Sequence, residues 1–151
     1  FAGGTRSYDS EYFSTKNYII DFLEDVFSFS FQPNMQHRFT LGYTWKNKQN
    51  RTGGEHLSAH DAGMEYRMSS VKRGSLGINL NYIFIDYSGN SNSAVSYEML
   101  EGLLPGSNLT WQVNFQRQLA NGLQVSLNYS GRAAEDAKTI HTGGVQLRAF
   151  F

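Results

Sequence analysis

A chain of 151 residues is long enough for one domain, and its 13 basic and 13 acidic residues leave no formal net charge. That balance removes the basic excess expected of a nucleic-acid binder, and the absence of cysteine removes disulfide frameworks and thiolate metal sites. No apolar run approaches the ~20 residues of a membrane helix; the longest are short, such as Tyr82-Ile83-Phe84-Ile85.

In chain order, Phe1 to Arg6 does not resemble a secretory leader, so the leader was removed or the chain starts inside a longer one; the second is expected. Thr5 to Phe13 reads as a strand or a loop. Asn17 to Gln32 reads as one long strand in which Phe27, Phe29 and Phe31 alternate with Ser28, Ser30 and Gln32. A turn is expected at Pro33-Asn34-Met35. Then Phe39, Leu41, Tyr43 and Trp45 alternate with Thr40, Gly42, Thr44 and Lys46, followed by a long loop near 47–57. Ala62, Met64, Tyr66 and Met68 alternate with Asp61, Gly63, Glu65 and Arg67, up to a short turn at Ser69 to Arg73. Leu76, Ile78, Leu80, Tyr82 and Phe84 keep the pattern, but Ile83 and Ile85 intrude on the opposite face, as a buried end or a bulge would allow. A period of two places each set on one face of a strand.

Beyond a long excursion at 88–106, Leu109, Trp111, Val113 and Phe115 alternate with Thr110, Gln112, Asn114 and Gln116. Ala120-Asn121-Gly122 is a tight hairpin signal. Leu123, Val125, Leu127 and Tyr129 alternate with Gln124, Ser126, Asn128 and Ser130. In the closing strand, 139–151, Val145, Leu147, Ala149 and Phe151 alternate with Gly144, Gln146 and Arg148, with Phe150 as the exception. The fold class is therefore all-β: seven or eight antiparallel strands, expected to be transmembrane β-barrel strands and the C-terminal part of a larger barrel.

Composition sets the medium on each face. A soluble barrel carries Lys, Glu and Asp outside, whereas here the polar face is mostly Gln, Asn, Ser, Thr and Gly. The apolar face is rich in bulky rings. A barrel with its apolar side turned to lipid fits this better than a soluble ligand-binding β-barrel. The lipid-facing expectation covers Phe39, Leu41, Tyr43, Trp45, Met64, Tyr66, Leu109, Trp111, Val113, Phe115, Leu123, Val125, Leu127 and Tyr129. The lumen-facing one covers Gln112, Asn114, Gln116, Gln124, Ser126, Asn128, Gln146 and Arg148. Arg117 falls with the apolar set by parity, at a strand end where it can reach headgroups. Loop lengths agree if 88–106 is one outer connection and not a spanning strand, since outer loops exceed periplasmic turns. Its stretch 93–106 is a short helix or strand that needs apolar cover over the lumen or against a partner.

The ending Gly143-Gly144-Val145-Gln146-Leu147-Arg148-Ala149-Phe150-Phe151 resembles the closing strand of outer-membrane proteins. Tyr97 to Gly106, Trp111, Tyr129-Ser130-Gly131-Arg132 and Ile140-His141-Thr142-Gly143 resemble the C-terminal end of large Bacteroidota outer-membrane proteins. The resemblance covers the last third of the chain. It implies an insertion signal at Val145, Leu147, Ala149 and Phe151, read by the barrel-assembly machinery. It also implies a bacterial outer-membrane location among lipid, with upstream strands of the same protein and other outer-membrane proteins or lipoproteins as partners.

No catalytic, cofactor or metal residues are assigned, and no enzymatic activity is expected. His56 and His60 stand four apart, but a loop leading into a strand does not bring such a pair together. His37 and His141 have no partner evident in the sequence. Ser58, His60, Asp61 and Glu65 are the residues an outer-membrane enzyme with a rim active site would use, without a nucleophile–base–orienter pattern to join them. The expected role is a channel, or a secretion or outer-membrane assembly component. Fractionation without detergent separates this from a soluble barrel.

Overall fold

A computed structural model describes residues 2–8, 18–70, 74–90, 93–119, 122–135 and 137–150. The chain is all-β with one short helix. The strands are β1 (Ala2–Tyr8), β2 (Tyr18–Asn34), β3 (His37–Asn50), β4 (His56–Ser70), β5 (Gly74–Ser88), β6 (Gly106–Gln118), β7 (Leu123–Ala134) and β8 (Ala137–Ala149), with α1 (Ala94–Leu100) between β5 and β6. Strand order in the sheet follows chain order from β1 to β8. No described helix is long and apolar enough to cross a membrane.

Register keeps like faces together. Across β7 and β8, Val125 pairs with Leu147 and Leu127 with Val145, while Gln124 pairs with Arg148 and Ser126 with Gln146. From Leu123 to Leu127 apolar side chains thus meet apolar ones and polar ones meet polar ones, as the two-residue period requires, whereas Asn128 and Tyr129 face Gly144 and Gly143 and Arg132 faces Ile140. A register shift falls between Arg132 and Ala134.

Several boundaries differ from the sequence reading. β2 runs on to Asn34, and the turn tightens to 35–36 because the Asn34 side-chain oxygen accepts from the backbone N–H of Gln36 (2.9 Å) and of His37 (3.0 Å). The loop expected at 47–57 is only 51–55. Asn50 shortens it: its side-chain oxygen accepts from Ile19 N and Thr52 N, and its amide nitrogen donates to Glu55 (2.7 Å). The closing strand begins at Ala137. The expectations at 9–17, the centre of the 69–73 turn, Asn121 and Phe151 lie outside the described residues.

Two compact units divide the chain. The first comprises 1–27, 43–61 and 83–108; the second comprises 28–42, 62–82 and 109–151. The hydrophobic core belongs entirely to the first unit: Ile20, Leu57, Ala59, Ile85, Val95, Met99 and Leu100 are buried, with Tyr18, Ile83, Tyr87 and Leu103 packed against them. The segment left open between helix and strand is helical, and it explains the intrusion at Ile83 and Ile85. Those two side chains meet the apolar residues of α1 instead of water. Ser93 caps the helix by accepting from Ser96 N (3.0 Å), and Ser96 Oγ accepts in return from Ser93 N (3.1 Å).

In the second unit no described residue is buried. Its strands are held by backbone pairing and lateral side-chain contact. One close approach is specific: a Cβ at Gly131 would collide with the Trp111 indole, so glycine lets that ring lie across the strand.

Candidate functional site

The first unit gathers its charges against the floor beneath α1. Lys46 and Lys48 lie two apart on β3 and therefore share a face. Lys48 Nζ donates to Glu101 Oε1 (2.6 Å) and to the Met99 carbonyl (2.9 Å), and Lys46 Nζ donates to Glu101 Oε2 (3.2 Å). Glu24 of β2 lies 3.9 Å from Lys46, and Arg6 of β1 pairs with Glu98 of α1 at 3.4 Å. Burial alone would push the Glu101 carboxyl up; the hydrogen bond and charge of Lys48, joined by Lys46, overcome that and hold it below its ordinary range. Lys48 is 8% exposed. A cavity of about 60 Å³ beside the pair is lined by Leu57, Ala59, Ile83 and Ile85 as well as by Asp61 and Thr44. One Asp61 carboxylate oxygen is buried there without a hydrogen-bond partner among the described residues.

The second unit presents an amide-lined hollow. Asn114, Gln116, Gln124, Ser126, Asn128, Gln146 and Arg148 line one open cavity of about 540 Å³, together with Asn79, Glu65 and Arg67, the last two ion-paired. Gln112 lines a second cavity of about 550 Å³ with Asn79, Asn81 and Thr142. The amide and hydroxyl residues share these cavity walls with members of the apolar set, Met68, Leu76 and Phe115 in the first and Trp111 in the second.

On the opposite face, Leu41, Met64, Leu109, Leu123 and Leu127 are exposed, as are Phe39, Tyr43 and Tyr129. Trp45, Tyr66, Trp111, Val113, Phe115 and Val125 are partly covered by their neighbours. Arg117 is exposed, one residue short of the end of β6.

The histidines have partners that the sequence reading missed. His37 Nδ1 lies 2.8 Å from the Tyr66 hydroxyl, His60 Nδ1 2.7 Å from that of Tyr43, and His141 Nδ1 2.8 Å from that of Tyr129. His56 Nε2 lies 3.2 Å from the Asn47 amide. In every pair the two residues stand on neighbouring strands, and shared parity across the hairpins is the signal that could have found them. In the three Tyr–His pairs the rings lie against each other at centroid distances of 6.0–6.2 Å while their polar tips are hydrogen-bonded. The rim set Ser58, His60, Asp61 and Glu65 does not converge. Ser58 accepts from the Trp45 indole (3.4 Å) and His60 bonds Tyr43 on one face, whereas Asp61 lies on the other, beside Lys46.

No family model and no curated protein matches the chain. Its backbone is similar to the crystal structure of the outer membrane enzyme PagL, with 12% identity, a TM-score of 0.37, and coverage of 99% of this chain and 95% of that one. The expectation that the chain has no enzymatic activity is corrected here, because the solved structure it is similar to is that of an enzyme. At this score and identity the likeness assigns neither a reaction nor residues to this chain.

Proposed function

We propose that this chain is part of the wall of a bacterial outer-membrane β-barrel, with its aromatic and aliphatic face against lipid and its amide face lining an aqueous passage. One observation carries the reading: among the described residues of the second unit no apolar side chain is buried, while large ones such as Phe29, Leu41, Val145 and Leu147 are 55–69% exposed. Burying apolar surface is the main favourable term in folding, at roughly 25 cal/mol per Å². A water-soluble sheet gains nothing from such a face, whereas a bilayer supplies the missing apolar contact. The hydrogen-bonded Tyr–His pairs support it further, since rings with a satisfied polar tip suit the boundary between acyl chains and water.

Spin labels placed singly along 123–129, in protein refolded into vesicles, test the proposal. Odd positions are expected to be reached by oxygen dissolved in lipid, and even positions by a water-soluble nickel chelate. Equal access of the nickel chelate to both sets contradicts it.

A second reading, an outer-membrane enzyme acting at the rim, has one observation in its favour: the buried carboxylate oxygen of Asp61 beside Lys46, without a hydrogen-bond partner among the described residues. Buried polar groups are nearly always hydrogen-bonded, and exceptions often mark chemistry. Mass spectrometry of an outer-membrane extract incubated with the protein or with its Asp61→Asn variant tests it. Products lost in the variant support it; identical profiles remove it.

A further inference from the structure

Glu101 holds a conformation that its residue type does not favour. Among the described residues it is the one non-glycine with positive φ, at 54°, where the backbone leaves α1. Glycine occupies that region at less cost, and Gly102 follows immediately with φ of 78°. What offsets the strain is the side chain, which ends between the two lysine ammoniums of β3. The helix places Val95, Met99 and Leu100 on the apolar floor formed by Ile20, Leu57, Ala59 and Ile85.

We propose that α1 is a displaceable cap over the polar face of its unit, latched by Glu101 between Lys46 and Lys48 and released when that carboxylate is neutralised. This deepens the reading of an aqueous passage by giving it a regulator. It rests on that reading only for the consequence, not for the release itself.

The charges around the latch permit such a release. Facing Glu101 are Lys46 and Lys48 of β3, Glu24 of β2, Asp61 of β4 and Glu98 of α1, with Arg6 of β1 held by Glu98; β5 contributes only the apolar Ile83 and Ile85 to this cavity wall. With α1 withdrawn, Lys46 and Lys48 remain beside the strand carboxylates Glu24 and Asp61, while Arg6 at the exposed edge loses Glu98. Losing one partner of a buried pair is costly when the other charge stays uncompensated, and the two strand carboxylates lessen that cost. The sign follows from the depressed carboxyl. The stabilisation is present above the ordinary glutamate value of 4.5 and is lost as pH falls through the lower folded-state value.

The chain has no cysteine, so single cysteines report cleanly. Val95→Cys places a thiol under the cap, where Val95 is 5% exposed, and Tyr97→Cys places one on the same helix at a 74% exposed position. The ratio of their maleimide reaction rates reads docking in the folded protein, in or out of a bilayer. Adding Glu101→Gln is expected to raise the Val95→Cys rate relative to Tyr97→Cys about tenfold, as losing one hydrogen bond to a charged group implies. Acidifying the parent below the ordinary glutamate range should raise the ratio too, and by more than in the Glu101→Gln protein, where only the other carboxylates such as Glu98 and Glu24 remain to be neutralised. An unchanged ratio in Glu101→Gln overturns the proposal. If that variant does not fold, the acid titration decides alone, and a ratio that does not move with pH overturns it. The spin-label experiment can fail without affecting either outcome.

Discussion

The two units of this chain are made of the same kind of strand and reach stability differently. In the first, strand positions of the polar face turn apolar at Ile20, Leu57, Ala59, Ile83 and Ile85, and α1 covers them. In the second, the same parity carries Asn114, Gln116, Gln124, Ser126 and Gln146, and these line an open cavity. The difference teaches that alternation fixes which side chains share a face, while composition at those positions decides whether the face is packed or wet.

Substitutions can break or sharpen this contrast. The largest effect is expected where a dry core exists. Met99→Ala, at a residue 1% exposed, should cost about 2–5 kcal/mol through lost contacts and an unfilled cavity, read by denaturant unfolding. Equal stability of the variant and its parent would mean that α1 contributes no core. Next comes the second unit's apolar face. Leu127→Arg should cost about 2–4 kcal/mol in vesicles if the residue lies near mid-membrane, while Ser126→Arg on the amide face should be nearly neutral. Equal costs for the two would erase the distinction between faces. A smaller loss, about 1–3 kcal/mol, is expected for Gly131→Ala, whose methyl group collides with the Trp111 ring. Gly144→Ala meets nothing within 4 Å and serves as its control. The smallest is Ser93→Ala at the helix cap, about 1 kcal/mol, seen as a modest rise in Val95→Cys labelling.

Most of the sheet was legible in the sequence because period-two patterning is a local property. For the same reason Asn114, Gln116, Gln124, Ser126, Asn128, Gln146 and Arg148 line one cavity, although Phe115 of the apolar set borders it too. The two isoleucines at 83 and 85 could be seen as exceptions but not explained, since their partner is a helix beginning nine residues later and seated by tertiary packing. The Lys46, Lys48 and Glu101 cluster was hidden because it joins residues more than fifty positions apart. The short 51–55 turn was missed because Lys48 and Asn50 look like loop residues, yet both are buried with hydrogen-bond partners. The Tyr–His pairs needed only a register that the hairpin turns would have supplied.

The central claim concerns the medium that touches the apolar face, and the two tryptophans report it directly. Trp45 and Trp111 both stand on that face, one in each unit. In vesicles of lipids brominated along the acyl chains, both indoles are expected to be strongly quenched, with little further quenching by aqueous acrylamide. Emission untouched by bromine and readily quenched by acrylamide would contradict the account.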